Sequence, residues 1–420
     1  MSEFKTIEFL SDEKLIVDPY GYIAERRAQC PMNRDSDQGL VAALGYDAAL
    51  AVYRDAEGFS ACNGTAEPFL ELPFKPEGDD ITEQIRRHRD EMPFGDYMST
   101  LDPPHHTQVR GLLSRLMTPH RLKENEEFMR ALAERQLDMF VADSRCDFFR
   151  QYAQPFSLLV IADLLGVPEE DHDAFCGSLD FQLAQMSESQ SIPHNPLQFY
   201  EDRFIAYIEE RRREPRGDVL TSLAQGTYPD GSLPELMDVV RLAVFLFAAG
   251  QETTTKLLTF ALKNIAESSD LQQRLRDDPS LIPAFLEETL RLETPIKSHF
   301  RLASKTAAVA GVRVQAGTPI MLLPGAANRD PGKFENPDEF QVDRPNVREH
   351  LAFGRGIHSC PGAPLARVEG RVSIERVLAR MKDIKISEKH HGPAAARRYT
   401  YDPTFLLRGL KDLHLEFTPA

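Results

Sequence analysis

The segment Phe353-Gly354-Arg355-Gly356-Ile357-His358-Ser359-Cys360-Pro361-Gly362 decides how the rest of the chain is read. Two glycines within three residues allow a tight backbone turn close against another body. Cys360 is expected to stand just before a helix that begins at Pro361. Unpaired N–H groups and the positive dipole end at that place lower a thiol's pKa and favour thiolate. Arg355 and His358 add donors or positive charge nearby. A thiolate offered from such a loop is either a nucleophile or a metal ligand. A nucleophile needs an adjacent general base, and His358, two residues away, is poorly placed for that geometry. A single thiolate with no other soft ligand suits an iron porphyrin, whose macrocycle supplies four ligands.

The remaining cysteines, Cys30, Cys62, Cys146 and Cys176, form no C-x-x-C pair, so neither a zinc ribbon nor a dithiol redox motif is indicated. They read as small buried hydrophobes in a reducing compartment. The chain has 420 residues with 49 Lys and Arg against 65 Asp and Glu, a formal net charge of −16. That acidity argues against a nucleic-acid partner, which needs a basic surface. The hydrophobic fraction of 42% is enough for a sizeable core. No apolar run approaches the roughly 20 residues of a membrane span. The N-terminus, Met1-Ser2-Glu3-Phe4-Lys5, lacks the basic-then-apolar order of a signal peptide. A cytoplasmic protein without a membrane anchor is expected.

From Thr107 to Glu293 the pattern is mostly amphipathic helix. Ile282, Phe285, Leu286, Thr289 and Leu290 recur at helical spacing, with Pro283 in the first turn. From Ala307 to Leu323, Val309, Val312, Val314 and Ile320 sit in short runs broken by Gly311, Gly317 and Pro319, which reads as strands and turns. Asn328 to Gly362 is long and irregular, a kind of segment that is often functional. A last helix carries Leu365, Val368 and Val372 on one face. The fold class is mainly α with small β-sheets, and a doubly wound sheet is not indicated.

The quoted loop resembles the heme-binding loop of the cytochrome P450 family, Phe-x-x-Gly-x-His/Arg-x-Cys-x-Gly, at Phe353, Gly356, His358, Cys360 and Gly362. Other segments agree in the family's order. Asp102 to Arg110 resembles the entry to the helix that presents His106 and Arg110 to the heme propionates. Ala249-Gly250-Gln251-Glu252-Thr253-Thr254 looks like the oxygen-activating kink of the long central helix. Glu288-Thr289-Leu290-Arg291 matches Glu-x-x-Arg, and Asn328-Arg329-Asp330-Pro331 with Phe334, Pro337, Phe340 and Arg344 resembles the meander. The resemblance spans residues ~100 to ~370 and implies one domain over residues 1–420, with heme b between the central helix and the Cys360 loop. The first ~95 residues carry no specific signature.

The resemblance implies roles. Cys360 is the iron ligand. His106, Arg110, Arg301 and His358 bind the propionates, with Phe353, Gly354, Gly356, Gly362 and Ala249 against the cofactor. Glu252 and Thr253 are the catalytic pair: a widened helix leaves room for dioxygen and water, Thr253 offers it a hydroxyl, and Glu252 relays protons. Taken alone, Glu288 and Arg291 read as a solvated i, i+3 pair. In the family the pair is buried and, with Arg344, holds the heme loop. Pro361 lacks an N–H, so one hydrogen bond to the sulfur is missing. The candidate substrate pocket is Phe69, Leu70, Met92, Phe94, Tyr97, Met98, Phe245, Ala248, Ala249, Pro295 and Ile296. That lining suits a hydrophobic small molecule, terpenoid, aromatic or steroid-like.

The implied activity is a monooxygenase using O2 and two electrons. No flavin or iron–sulfur segment is recognised, so a ferredoxin-type donor is expected to dock near Arg115, Arg355 and Arg367 on a monomer. A peroxide-driven peroxygenase is the alternative enzyme, disfavoured by Glu252 and Thr253. A heme carrier or gas sensor is the alternative without catalysis.

Overall fold

The computed structural model describes residues 4–64, 71–92, 94–113, 116, 118–175, 197–402, 404 and 406–420. Phe69, Leu70, Arg115 and Cys176 lie outside them.

The helices that frame the site are α1 (His105–Leu113), α2 (Pro119–Asp138), α3 (Gln154–Leu165), α4 (Gln198–Arg213), α5 (Leu236–Glu267), α6 (Ile282–Leu292) and α7 (Ala363–Arg380). The 32 residues of α5 extend roughly 48 Å at the standard rise. Val240, Ala243, Phe247, Leu258 and Phe260 are among its buried side chains. It packs against α3, α4, α6 and α7. α3 is apolar around most of its circumference, with Phe156, Leu158, Val160, Ile161, Leu164 and Leu165 all buried and Asp163 exposed, the pattern of a helix largely enclosed by others. α6 begins at Ile282 with a proline in its first turn, where the missing N–H costs nothing.

The strands are β1 (Met32–Asp35), β2 (Leu40–Ala43), β3 (Phe59–Ser60), β4 (Arg145–Asp147), β5 (His299–Ala303), β6 (Ala307–Val309), β7 (Val312–Val314), β8 (Pro319–Leu322), β9 (Met381–Ile386) and β10 (His414–Pro419). One sheet has the order β1-β2-β8-β5-β3, with β2 and β8 parallel and the other pairs antiparallel. A three-stranded sheet runs β4-β10-β9 and a hairpin pairs β6 with β7. The early segment without a sequence signature thus supplies three strands of the largest sheet. Among the described residues no helix is long and apolar enough to cross a membrane.

A buried charge network fixes the irregular segment to α6. Glu288 and Arg291 are both fully buried. Arg291 grips the carboxylate bidentately, Nε to Oε2 at 2.7 Å and Nη2 to Oε1 at 2.8 Å. Arg344 Nε reaches the same two oxygens at 3.1 and 3.2 Å, and the Gln341 N–H adds a bond at 2.9 Å. The spare donors of Arg291 go to the carbonyls of Asn328, Pro337 and Glu339. Asn328 in turn accepts from the Leu351 N–H at 2.6 Å, two residues before the Cys360 loop. A buried ion set of this kind holds because each lone pair and N–H has a partner.

Removing the shared acceptor leaves two guanidiniums buried together. Glu288→Ala is expected to lower the unfolding free energy by about 3–5 kcal/mol and to yield little soluble protein. An unchanged urea midpoint for this variant would count against the network.

Candidate active site

The Cys360 loop is held from several directions. Cys360 N–H bonds the Phe353 carbonyl at 2.8 Å, and the Arg367 guanidinium lies 4.7 Å over the Phe353 ring. Arg110 donates to the Ser359 carbonyl at 2.5 Å. Gly354 and Gly356 have φ of +63° and +74°. A Cβ on Gly356 would lie 2.1 Å from the Tyr53 carbonyl oxygen, so no side chain fits there.

α7 begins at Ala363, two residues later than the sequence indicates, and the proline of its first turn is Pro364 rather than Pro361. The expected lowering of the Cys360 pKa is also not what the structure shows. Burial pushes the thiol up and outweighs the N–H groups of Gly362 and Ala363 and the charges of Arg110 and Arg367. Cys360 nonetheless presents an exposed surface, and its neighbour Pro361 lines a cavity of about 490 Å³.

His106, Thr107, Arg110, Leu113 and Ile357 line the same cavity. His106 and Arg110 share one face of α1, four residues apart. The His106 and His358 rings are 4.2 Å apart. Among the described residues, both ring nitrogens of His106 and Nε2 of His358 are buried without a hydrogen-bond partner. Burial, then Arg110 and Arg301, pull His106 down to about 4. Burial, then Arg301, His106 and Arg110, pull His358 down to about 2. Arg301, buried on β5, completes the set. His299, which the sequence reading missed, belongs with it: it shares the β5 face of Arg301 and bonds the Tyr53 hydroxyl through Nδ1 at 2.7 Å. Strand alternation is the signal that puts residues 299 and 301 on one face.

On α5, Phe245, Ala248, Ala249, Glu252 and Thr253 are partly or fully exposed in the middle of the helix, at spacings of one face. The expected widening is absent: α5 is continuous α-helix through this stretch. Thr253 Oγ1 donates to the Ala249 carbonyl at 2.8 Å, four residues back. Glu252 Oε2 lies 3.4 Å from Lys256 Nζ, and the buried Lys256 also pairs with Asp402. Burial lowers the Lys256 pKa, but Glu252 and Asp402 more than offset this, so it is raised. α5 meets α7 where Thr254 bonds the buried Glu369, whose pKa burial holds well above the usual carboxylate range.

The substrate-pocket candidates do not all gather. Tyr97 and Met98 are buried in the main core, Phe94 packs against it with φ of +55°, and the Tyr97 hydroxyl donates to Glu201 at 2.8 Å. Met92 belongs instead to a separate apolar cluster with Cys62, Ile81, Ile85 and Leu302. The Pro295 carbonyl accepts from the Arg408 N–H at 2.8 Å. Ile296 pairs with Leu407 and lines a small second cavity with Phe9 and Lys297, apart from the first. Burial and Arg408 lower the Lys297 pKa to about 8.

Donors for two carboxylates, unpartnered imidazole nitrogens and a thiol beside one cavity fit an iron porphyrin with two propionates. The family model for "Cytochrome P450" matches residues 194–391. The substrate-free cytochrome P450 CYP150A6 of Mycobacterium marinum superposes with a TM-score of 0.92, at 56% identity over 99% of both chains. The mycinamicin IV hydroxylase/epoxidase of Micromonospora griseorubida is 34% identical over 317 residues, 74% of this chain and 78% of that one. The chain belongs to the cytochrome P450 family. It is therefore a heme monooxygenase, and its cofactor is heme b. A further P450, CYP109E1 from Bacillus megaterium solved in complex with testosterone, gives a TM-score of 0.79 at 27% identity, covering 95% of this chain and 99% of that one.

In this P450 a second carboxylate, Glu287, pins α7 to the meander. It is buried, accepts from Arg367 at 2.5 and 3.0 Å, and pairs with His350 at 3.1 Å. Burial alone would raise its pKa, but these bonds bring it down to about 2. A depressed carboxylate pKa contributes stability above the ordinary value, lost as pH falls toward the folded one. The melting temperature is therefore expected to drop between about pH 4.5 and pH 2, with a shallower drop in Glu287→Gln. Parallel acid profiles for the two proteins would remove this role.

Proposed function

We propose that this P450 inserts one oxygen atom from O2 into a hydrophobic small molecule, taking electrons from a ferredoxin-type partner. Cys360 is the iron ligand, and Arg110, Arg301, His106 and His358 take the propionates. The observation that carries this reading is the cavity that the thiol loop lines through Ile357 and Pro361 together with His106 and Arg110, with the His358 ring 4.2 Å behind His106 and both ring nitrogens of His106 left without a partner among the described residues. The heme supplies the binding and activation of dioxygen.

The chain's own residues do the rest. Gly354 and Gly356 let the loop turn tightly, and Phe353 under Arg367 holds its start. The N–H groups of Gly362 and Ala363 donate toward the sulfur, where Pro361 offers none. The open face of α5 bounds the substrate: Phe245, Ala248 and Ala249 give an apolar wall, which favours a terpenoid, aromatic or steroid-like compound. The steroid in the CYP109E1 complex is a ligand of that kind. Thr253, one turn from Ala249, holds a hydroxyl at the same face, and Glu252 offers a carboxylate to carry protons inward.

Electron delivery is assigned to the cysteine side with a narrower basic patch than the sequence suggests. Arg367 is taken up by Glu287, Arg371 by Glu126 and Glu375, and Arg380 by Glu134 and Asp138. Arg355 bonds the carbonyls of Gly354 and Arg348, and among the described residues no carboxylate pairs with it. It is the cation best placed to steer an acidic partner.

The reduced carbon monoxide complex of the wild type is expected to show the red-shifted band of thiolate ligation, and Cys360→Ser to lose it. A wild type without that band would overturn the ligand assignment. Thr253→Ala is expected to keep the band while yielding less product and more peroxide per electron consumed. Unchanged coupling in that variant would remove Thr253 from the mechanism.

A further inference from the structure

Tyr53 lies near the end of the helix Tyr46–Arg54, directly under the Cys360 loop. Its carbonyl is the atom that excludes a side chain from Gly356. Its ring meets His299 edge-on at 5.9 Å, and the Arg301 guanidinium stands 6.0 Å from the ring centroid. Its hydroxyl is 2.7 Å from Nδ1 of His299. One tyrosine therefore touches both the loop that carries Cys360 and the strand that carries Arg301.

We propose that Tyr53 is a positioning residue for the cofactor: by donating its hydroxyl to Nδ1 of His299 it fixes that imidazole as an uncharged Nε2–H donor to a propionate of heme b. The inference rests on the heme placement above and adds two residues to it.

The direction of the bond follows from both partners. Burial raises the Tyr53 phenol, so it keeps its proton. Burial, then Arg301, lowers His299 to about 3, so it stays neutral. Between a neutral phenol and a neutral imidazole, O–H is the better donor and the bare ring nitrogen the better acceptor. The remaining proton then sits on Nε2. Charge counting agrees. Heme b brings two carboxylates, and the site holds two permanent cations, Arg110 and Arg301. A third imidazole that took a proton would unbalance the pair; one that only donates a hydrogen bond would not. The charged and titratable groups around His299 are Tyr53, Arg301 and His358.

The test uses the holoenzyme and the variants His299→Ala, His299→Gln and Tyr53→Phe. Two quantities are read: heme transfer to excess apomyoglobin, and the reduction potential as a function of pH. His299→Ala is expected to release heme about tenfold faster, the loss of one hydrogen bond to a charged group. His299→Gln, which keeps an N–H donor, should restore most of the retention. Tyr53→Phe removes the donor to Nδ1, so the Nε2–H tautomer is no longer fixed: heme release should rise toward the His299→Ala rate, and the potential should fall below that of the wild type across the pH range, as a propionate loses a donor. Wild-type release from His299→Ala overturns the proposal, as does a Tyr53→Phe curve that follows the wild type. Should Tyr53→Phe fail to fold, the contrast between His299→Ala and His299→Gln decides. The carbon monoxide spectrum is recorded first for every protein. A wild type without the thiolate band sinks the heme placement, whereas normal bands with unchanged release and potential sink the Tyr53 role alone.

Discussion

The carboxylate of Glu288 is the constraint on which the site depends. It is buried, it is shared by Arg291 and Arg344, and the spare donors of those guanidiniums collect carbonyls from Asn328 to Glu339. A stretch with little regular secondary structure has few backbone bonds of its own to keep it in place. Here one anion and two planar cations substitute for a sheet or helix, and Asn328 passes the order on to Leu351 and the loop beyond. Glu287, the adjacent residue, repeats the device toward α7 through Arg367 and toward the meander through His350. Two consecutive carboxylates on α6 therefore fix both ends of the segment that presents Cys360.

Around the cavity the balance is different. The guanidiniums are permanent charges and the imidazoles are pushed toward neutrality by burial and by those same guanidiniums. Charge and hydrogen bonding are thus divided between residue types, which lets the site present many donors to two carboxylates without accumulating excess positive charge. At α5 the logic reverses: Glu252 has a cation within reach, and that cation is itself shared with Asp402 of the C-terminal segment.

Much of this was legible in the sequence because it is written in short contiguous motifs. The Cys360 loop, the Glu-x-x-Arg pair and the helix face of Ile282 to Leu290 each carry their own spacing. What was not legible depends on contacts distant in the chain. The strands β2 and β3 find their sheet only by pairing with β8 and β5, roughly 240 to 280 residues away. Lys256 gains its importance from Asp402, and Tyr53 from His299, in each case from a partner that no local pattern announces. The helix at Pro361 was placed too early because proline favours a helix start but does not compel one. The Cys360 thiol was expected to acidify because a helix end can be seen in a sequence and the desolvation around it cannot.

The close seating of Gly356 on the Tyr53 carbonyl has a consequence for biosynthesis. The floor of the loop comes from residue 53, one wall from α1, another from β5, and the thiol from residue 360. A ribosome releases these parts in that order, so the earliest piece waits for the latest. No partial chain that ends before Cys360 contains the complete receptor. Cofactor capture is in this sense a property of the finished polypeptide, and the helix Tyr46–Arg54 must remain competent to receive the loop throughout synthesis.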